Sequence, residues 1–228
     1  MIAVFKKQLA DTLKNKTVLI QFVMFPILIV FMNHSVQIEG MPDNFFVCLF
    51  ATMYIGMAPL TSMAAIVSEE KEKNTLKVLM MSNVKPAEYL LGVGGYTWLL
   101  CMIGAAVFCL EGKYSGKEAV IFMGIMAIGI FCSLLIGAAI GTWSSDQMTA
   151  TSITVPVMMI FSFLPMLSMF NEKIEKVAKF TYSEQISILI GQIKNWEPDA
   201  VNILVIISNI AVAALFFTFS YRKCGLSG

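Results

Sequence analysis

An all-α polytopic membrane protein is the fold class this sequence predicts, and three observations predict it. The 228 residues are 57% hydrophobic and only 14% charged, against roughly 25% charged in ordinary soluble domains. Mean hydropathy is +0.76. Several apolar runs approach or exceed ~18 residues, enough to cross the ~30 Å hydrocarbon layer as helices. A soluble bundle can bury a few such helices, but it needs polar faces to carry this many. Six spans are expected, over residues 17–34, 44–67, 90–110, 119–142, 152–170 and 200–220, in a single domain covering 1–228.

The first element precedes the spans. In residues 1–16, Ile2, Phe5, Leu9 and Leu13 fall on one helical face, with Lys6, Lys7, Asp11 and Lys14 largely elsewhere. Apolar spacing of three and four ringed by lysines describes a helix lying in the membrane interface. No cleavable signal peptide is expected, because the first apolar run starts near Thr17 after a charged segment and lacks a small-residue cleavage site.

Pro26, Pro59, Pro156 and Pro165 sit inside the first, second and fifth spans. Proline is tolerated in a membrane helix where neighbours satisfy the freed carbonyl, so each predicts a kink and a helix contact. The fourth span ends in Gly137-Ala-Ala-Ile-Gly141, a spacing that permits close helix approach. Packing within one subunit is the preferred reading of it. Before the last span, residues 171–198 repeat Ile174, Val177 and Phe180, then Ile186, Ile190 and Ile193, with Trp196 beyond. One or two external amphipathic helices dipping into the interface are expected there, the indole at the headgroup level.

Residues 68–91, SEEKEKNTLKVLMMSNVKPAEYLL, interrupt the apolar pattern between the second and third spans. Glu69, Glu70 and Glu72 precede Thr75, and Leu76, Leu79 and Met80 then share a helical face. Acids near a helix start are favoured by its dipole, and Pro86 suits the first position of a following helix. A short helix, a turn at residues 82–85 and re-entry into the third span follow. Acids and bases beside a compact apolar face suit the grip of a cytosolic partner; a connecting loop with solvated charges is the plainer alternative. The basic residues of the short segments, from Lys6 to Lys16, Lys71 to Lys85, and Arg222 with Lys223, put both termini and the 68–89 segment in the cytoplasm.

Several chemistries find no support. The net charge is +1, with no basic stretch suited to nucleic acid. The five cysteines are scattered, four of them in apolar runs, without CxxC spacing. His34 stands alone, which argues against a metal site. Residues 112–118, GKYSGKE, lack phosphate-loop spacing. Ionisable residues are nearly absent from the span interiors, so a proton or ion pathway is poorly supported. A secondary transporter or channel would need such buried charges or a polar filter, and a membrane enzyme would need catalytic groups clustered at one face.

On the 68–91 residues the chain resembles the permease subunits of the ABC transporter type-2 exporter family. Their first cytoplasmic loop carries an E-x-E-x-x-T-L-x-x-L signature, matched here by Glu70, Glu72, Thr75, Leu76 and Leu79, with Ser82 and Pro86-Ala-Glu88-Tyr89 following. The resemblance extends over the chain, from an N-terminal elbow helix through six spans to external helices before the last. It implies a half-transporter: two permeases, identical or related, in a cell membrane, above two cytosolic ATPase subunits. This chain would bind no cofactor, ATP and magnesium belonging to the ATPase. The coupling helix, with Glu69, Glu70, Glu72, Thr75, Leu76, Leu79 and Met80, would dock in an ATPase groove beside the elbow residues Phe5 and Leu9. The pathway would lie between permeases along the first, second and fifth spans. Those spans offer Phe22, Phe25, Phe31, Met53, Met57, Met158, Met159, Phe161, Phe163 and Met166. Adaptable methionine surfaces suit a hydrophobic or amphipathic cargo, a peptide or drug-like molecule, and compact permeases of this kind imply bacterial peptide export or multidrug resistance.

Overall fold

The computed structural model describes residues 16–36, 44–75, 78, 81 and 86–226. The N-terminal interfacial helix, with Phe5 and Leu9, lies outside the described residues, as do Leu76, Leu79, Met80 and the turn at 82–85. Every regular element among the described residues is helical. The order is α1 (Lys16–Ser35), α2 (Phe45–Glu72), α3 (Pro86–Tyr89), a π-type turn at Leu90–Gly94, α4 (Gly95–Glu111) and α5 (Lys117–Trp143). It continues with α6 (Gln147–Ser168), α7 (Glu172–Ala178), α8 (Tyr182–Gly191), a 3-10 turn at Ile193–Asn195, and α9 (Ala200–Leu226).

Among the described residues, five helices are long and apolar enough to cross a membrane: Phe45–Glu72, Ala87–Glu111, Lys117–Trp143, Gln147–Ser168 and Ala200–Lys223. A sixth apolar helix, Ile20–Ser35, is shorter. Among the described residues, then, the six expected spans stand as five plus this apolar helix. Two boundaries also move. The fifth span begins at Gln147 rather than 152, because Asp146 caps it by accepting from the Thr149 amide at 2.8 Å. The second runs on to Glu72, so Glu69, Glu70 and Glu72 occupy the last turns of α2 rather than a helix start.

α2 is the centre of the bundle, touching α1, α4, α5, α6 and α8. Its Tyr54, Ile55, Leu60, Met63 and Val67 are fully buried. It approaches α5 closely at the Gly137 and Gly141 pair. A β-carbon at Gly137 would press on the Leu60 carbonyl and come within 3.0 Å of the Met63 β-carbon; one at Gly141 would lie 2.7 Å from the Val67 β-carbon. The glycine pair therefore packs inside one subunit, as small residues do where helix backbones meet.

Proline at 59 is answered across the same contact. It has no amide to bond the Ile55 carbonyl one turn back, and Ser133 of α5 donates to that carbonyl at 2.7 Å. The Ser133 oxygen also lies 2.7 Å from the Tyr182 hydroxyl of α8. That bond fixes α8 more deeply than the interfacial position expected of it. Tyr182, Ile186, Leu189 and Ile190 are buried in the core, whereas Val177 and Phe180 just before them are exposed. Asn171 and Thr181 cap α7 and α8 by accepting from the amides of Ile174 and Lys173, and of Glu184.

Candidate functional site

Two features stand out once the helices are in place: a charged clasp at one end of α2, and a groove along its flank. The clasp follows from an awkward local sequence. Carboxylates in the last turn of a helix face the negative end of its dipole, so each needs compensation, and each finds it. Glu69 pairs with Lys73 one turn on. Glu70 is buried and accepts from the Tyr89 hydroxyl at 2.8 Å; the Tyr89 ring lies 5.7 Å from that of Tyr221 on α9. Thr75 donates to the Glu70 carbonyl at 2.8 Å. Glu72 accepts from the Gln147 amide at 3.1 Å, an acid at the positive end of α6.

Lys71 completes the clasp. Its ammonium donates to the Thr142 carbonyl at 2.7 Å and the Ser144 carbonyl at 2.5 Å, groups left open where α5 ends. Between α5 and α6, the Asp146 carboxyl is held below its ordinary range by hydrogen bonds from the Ser145 hydroxyl and from the Thr149 amide and hydroxyl. One turn of α2 thus holds the end of α5, the start of α6, and the segment re-entering toward α4. It can transmit a push on residues 69–75 to three other helices.

The groove, about 200 Å³, runs between α1, α2 and α6. Phe25, Met57 and Met158 supply apolar wall, and Gln21, Thr61 and Thr154 interrupt it with polar groups. The Thr61 hydroxyl lies 2.7 Å from the Met57 carbonyl and 3.0 Å from Gln21 Oε1. Thr154 is 4% exposed, and its hydroxyl has no hydrogen-bond partner. Among the described residues, no ionisable side chain lines the groove.

Of the residues singled out in the sequence for a pathway, the groove brings together Phe25, Met57 and Met158. Phe22 and Met53 are buried in the core, Phe31 and Met159 are exposed, and Phe161 packs its ring 4.9 Å from Tyr182. Phe163 and Met166 pack partly buried against the core. Gln21, Thr61 and Thr154 were not singled out. Each is one polar residue among many in a long apolar run, and only the rotation of three helices about their axes selects them. Glu184 also escaped notice. It is buried beside α6, accepting from Ser168 at 2.9 Å, and burial pushes its carboxyl above the ordinary range despite that hydrogen bond. Among the described residues, no cluster of His, Cys, Asp and Glu could hold a metal ion.

No curated protein matches the chain. The family model described as ABC-2 family transporter protein matches residues 2–222, nearly the whole length and including both clasp and groove. A helical, multi-pass chain with this match is the membrane subunit of an ABC transporter rather than its ATPase, and such a subunit implies an ABC ATPase partner and a lipid bilayer around it. The chain belongs to the ABC-2 family of transporter proteins.

Proposed function

We propose that this chain is the permease half of an ATP-driven exporter that moves a hydrophobic or amphipathic molecule, a peptide or drug-like compound, out of the cell. The groove between α1, α2 and α6 carries the proposal: an apolar wall with methionine at its centre, formed by the helices that would serve as first, second and fifth spans. In this reading α1 spans the membrane as the sixth helix of a single domain, and both termini are cytoplasmic. A second permease, identical or related, faces the groove and completes the pathway.

The energy enters at the clasp. Residues 68–89 dock in a groove of the cytosolic ATPase through Leu76, Leu79 and Met80, with Phe5 and Leu9 of an elbow helix alongside. ATP and magnesium are held by that ATPase. The bonds from Glu70, Lys71 and Glu72 to Tyr89, α5 and α6 support this reading, because they give movement of the docked segment a rigid connection to α6 and so to one wall of the groove.

The experiment is a comparison of ATP hydrolysis by the reconstituted complex with and without stimulating cargo. Met57→Trp fills the groove and lowers the ratio of stimulated to basal turnover. Ile128→Trp, on the exposed side of α5, leaves that ratio at the parent value. The reverse pattern would remove the pathway from this groove.

A further inference from the structure

We infer that the groove recognises the amide groups of a neutral, apolar peptide segment through Thr154 and Gln21. The inference rests on the groove being a cargo site and adds the chemistry that the site selects.

Thr154 is the first observation. Threonine inside a helix ordinarily turns its hydroxyl back to the carbonyl four residues earlier. Thr52, Thr61, Thr97, Thr142, Thr151 and Thr218 all do so here. Thr154 does not: its hydroxyl is buried, without a partner, and it lines the groove. A buried polar group left unpaired is costly, and one carried by a residue that lines a groove marks where a ligand's polar group can be satisfied.

Gln21 is the second. Thr61 holds the carbonyl end of its side-chain amide at 3.0 Å. Among the described residues its NH2 end has no hydrogen-bond partner, and Gln21 lines the same groove. Oxygen and nitrogen of such an amide are interchangeable by a flip. In either orientation Thr61 holds one end, and the groove receives the other.

The chemistry of the ligand follows from the set. Thr154 and Gln21 share the groove with methionine, phenylalanine, valine and alanine, and with Thr61 and Thr151, whose hydroxyls are already turned back to carbonyls of their own helices. A charged molecule would find no counter-charge on this lining and would lose its hydration. A pure hydrocarbon would leave both polar groups unpaired. A peptide unit offers a donor N–H and an acceptor C=O close together, and apolar side chains on either side of it match the wall.

The test uses the complex of permease and ATPase in phosphatidylcholine nanodiscs. The probes are a fluorescent, N-acetylated, C-amidated pentaleucine and its fully N-methylated counterpart, which keeps the apolar body and loses the amide donors. The parent binds the unmethylated peptide about tenfold more tightly, since a site built to hydrogen-bond a group rejects the analogue lacking it. Thr154→Val, close in shape but without the hydroxyl, removes most of that preference; Thr154→Ser restores it; Thr154→Val with Gln21→Leu abolishes it. Equal binding of the two peptides by the parent, or no binding of either, overturns the inference. So does an unchanged preference in the double variant. Separation of the complex by Thr154→Val alone would assign the hydroxyl to a subunit contact and also overturn it. Met57→Trp separates the two levels of the reading. If it abolishes binding of both peptides while the Thr154 and Gln21 variants change nothing, the groove stands and amide recognition falls. If it changes neither, the groove reading falls as well.

Discussion

α2 and α6 are alike as sequence and unlike as structure. Both are long, apolar, rich in serine and threonine, and interrupted by proline. Yet 61% of the most apolar stretch of α2 is buried and only 22% of that of α6. The carbonyl freed by Pro59 on α2 is taken up by Ser133, whereas on α6 the Thr154 hydroxyl has nothing. Met148, Met159 and Ile160 of α6 are exposed. One helix is the spine that the others pack around; the other turns one face to the spine and leaves most of its surface to the surroundings. Hydropathy places both in the membrane, and polar satisfaction tells them apart.

The contrast can be broken most directly at the spine. Gly137→Val drives a branched side chain into the Leu60 carbonyl and Met63, which should cost about 3 kcal/mol and sharply reduce the yield of folded protein in a detergent thermal-stability assay. Met159→Val on the exposed face of α6 should change stability by less than about 0.5 kcal/mol in the same assay. Next in size is the clasp. Lys71→Met strips the ammonium from the Thr142 and Ser144 carbonyls and should cost about 2 kcal/mol, with faster amide exchange over residues 140–150.

A matched pair of hydroxyl deletions sharpens the comparison. Ser133→Ala leaves the Ile55 carbonyl and the Tyr182 hydroxyl without their shared partner, a loss of about 1 kcal/mol. Thr154→Val removes a hydroxyl that bonds nothing, so stability should hold or rise. If the two variants lose stability equally, the distinction between spine and groove face is wrong.

The smallest effect is electrostatic. Glu184 has its folded pKa raised above 4.5, first by burial. A carboxyl raised in this way favours the folded state when protonated. Its contribution is present below the unfolded pKa and is lost as pH rises through the folded one. Glu184→Gln should therefore gain in melting temperature over the parent at pH 8 and lose that advantage toward pH 5. An advantage independent of pH would mean that the carboxyl does not titrate in this range.

Much of the architecture could be read from residue order. Long apolar runs demand helices because lipid offers backbone groups no other partners, so the spans after the first, and the presence of short helices before the last, are legible without coordinates. The Gly137 and Gly141 spacing announces a close approach, although not its partner. The signature from Glu70 to Leu79 suffices to suggest the family. What sequence could not decide is rotation about each helix axis, since a span that is apolar all round carries no periodic mark of which side faces inward. That rotation buries Phe22 and leaves Phe31 exposed on one helix, and it turns Thr151 and Thr154 to the groove on a helix that also carries Thr149 and Ser152. It also turns Glu70 inward to Tyr89 while Glu69 and Glu72 remain at the surface. Composition and pattern determined that this chain enters the membrane as helices; the packing of α1 and α6 against α2 decided which polar groups share a groove, because that depends on contacts between residues far apart in the chain.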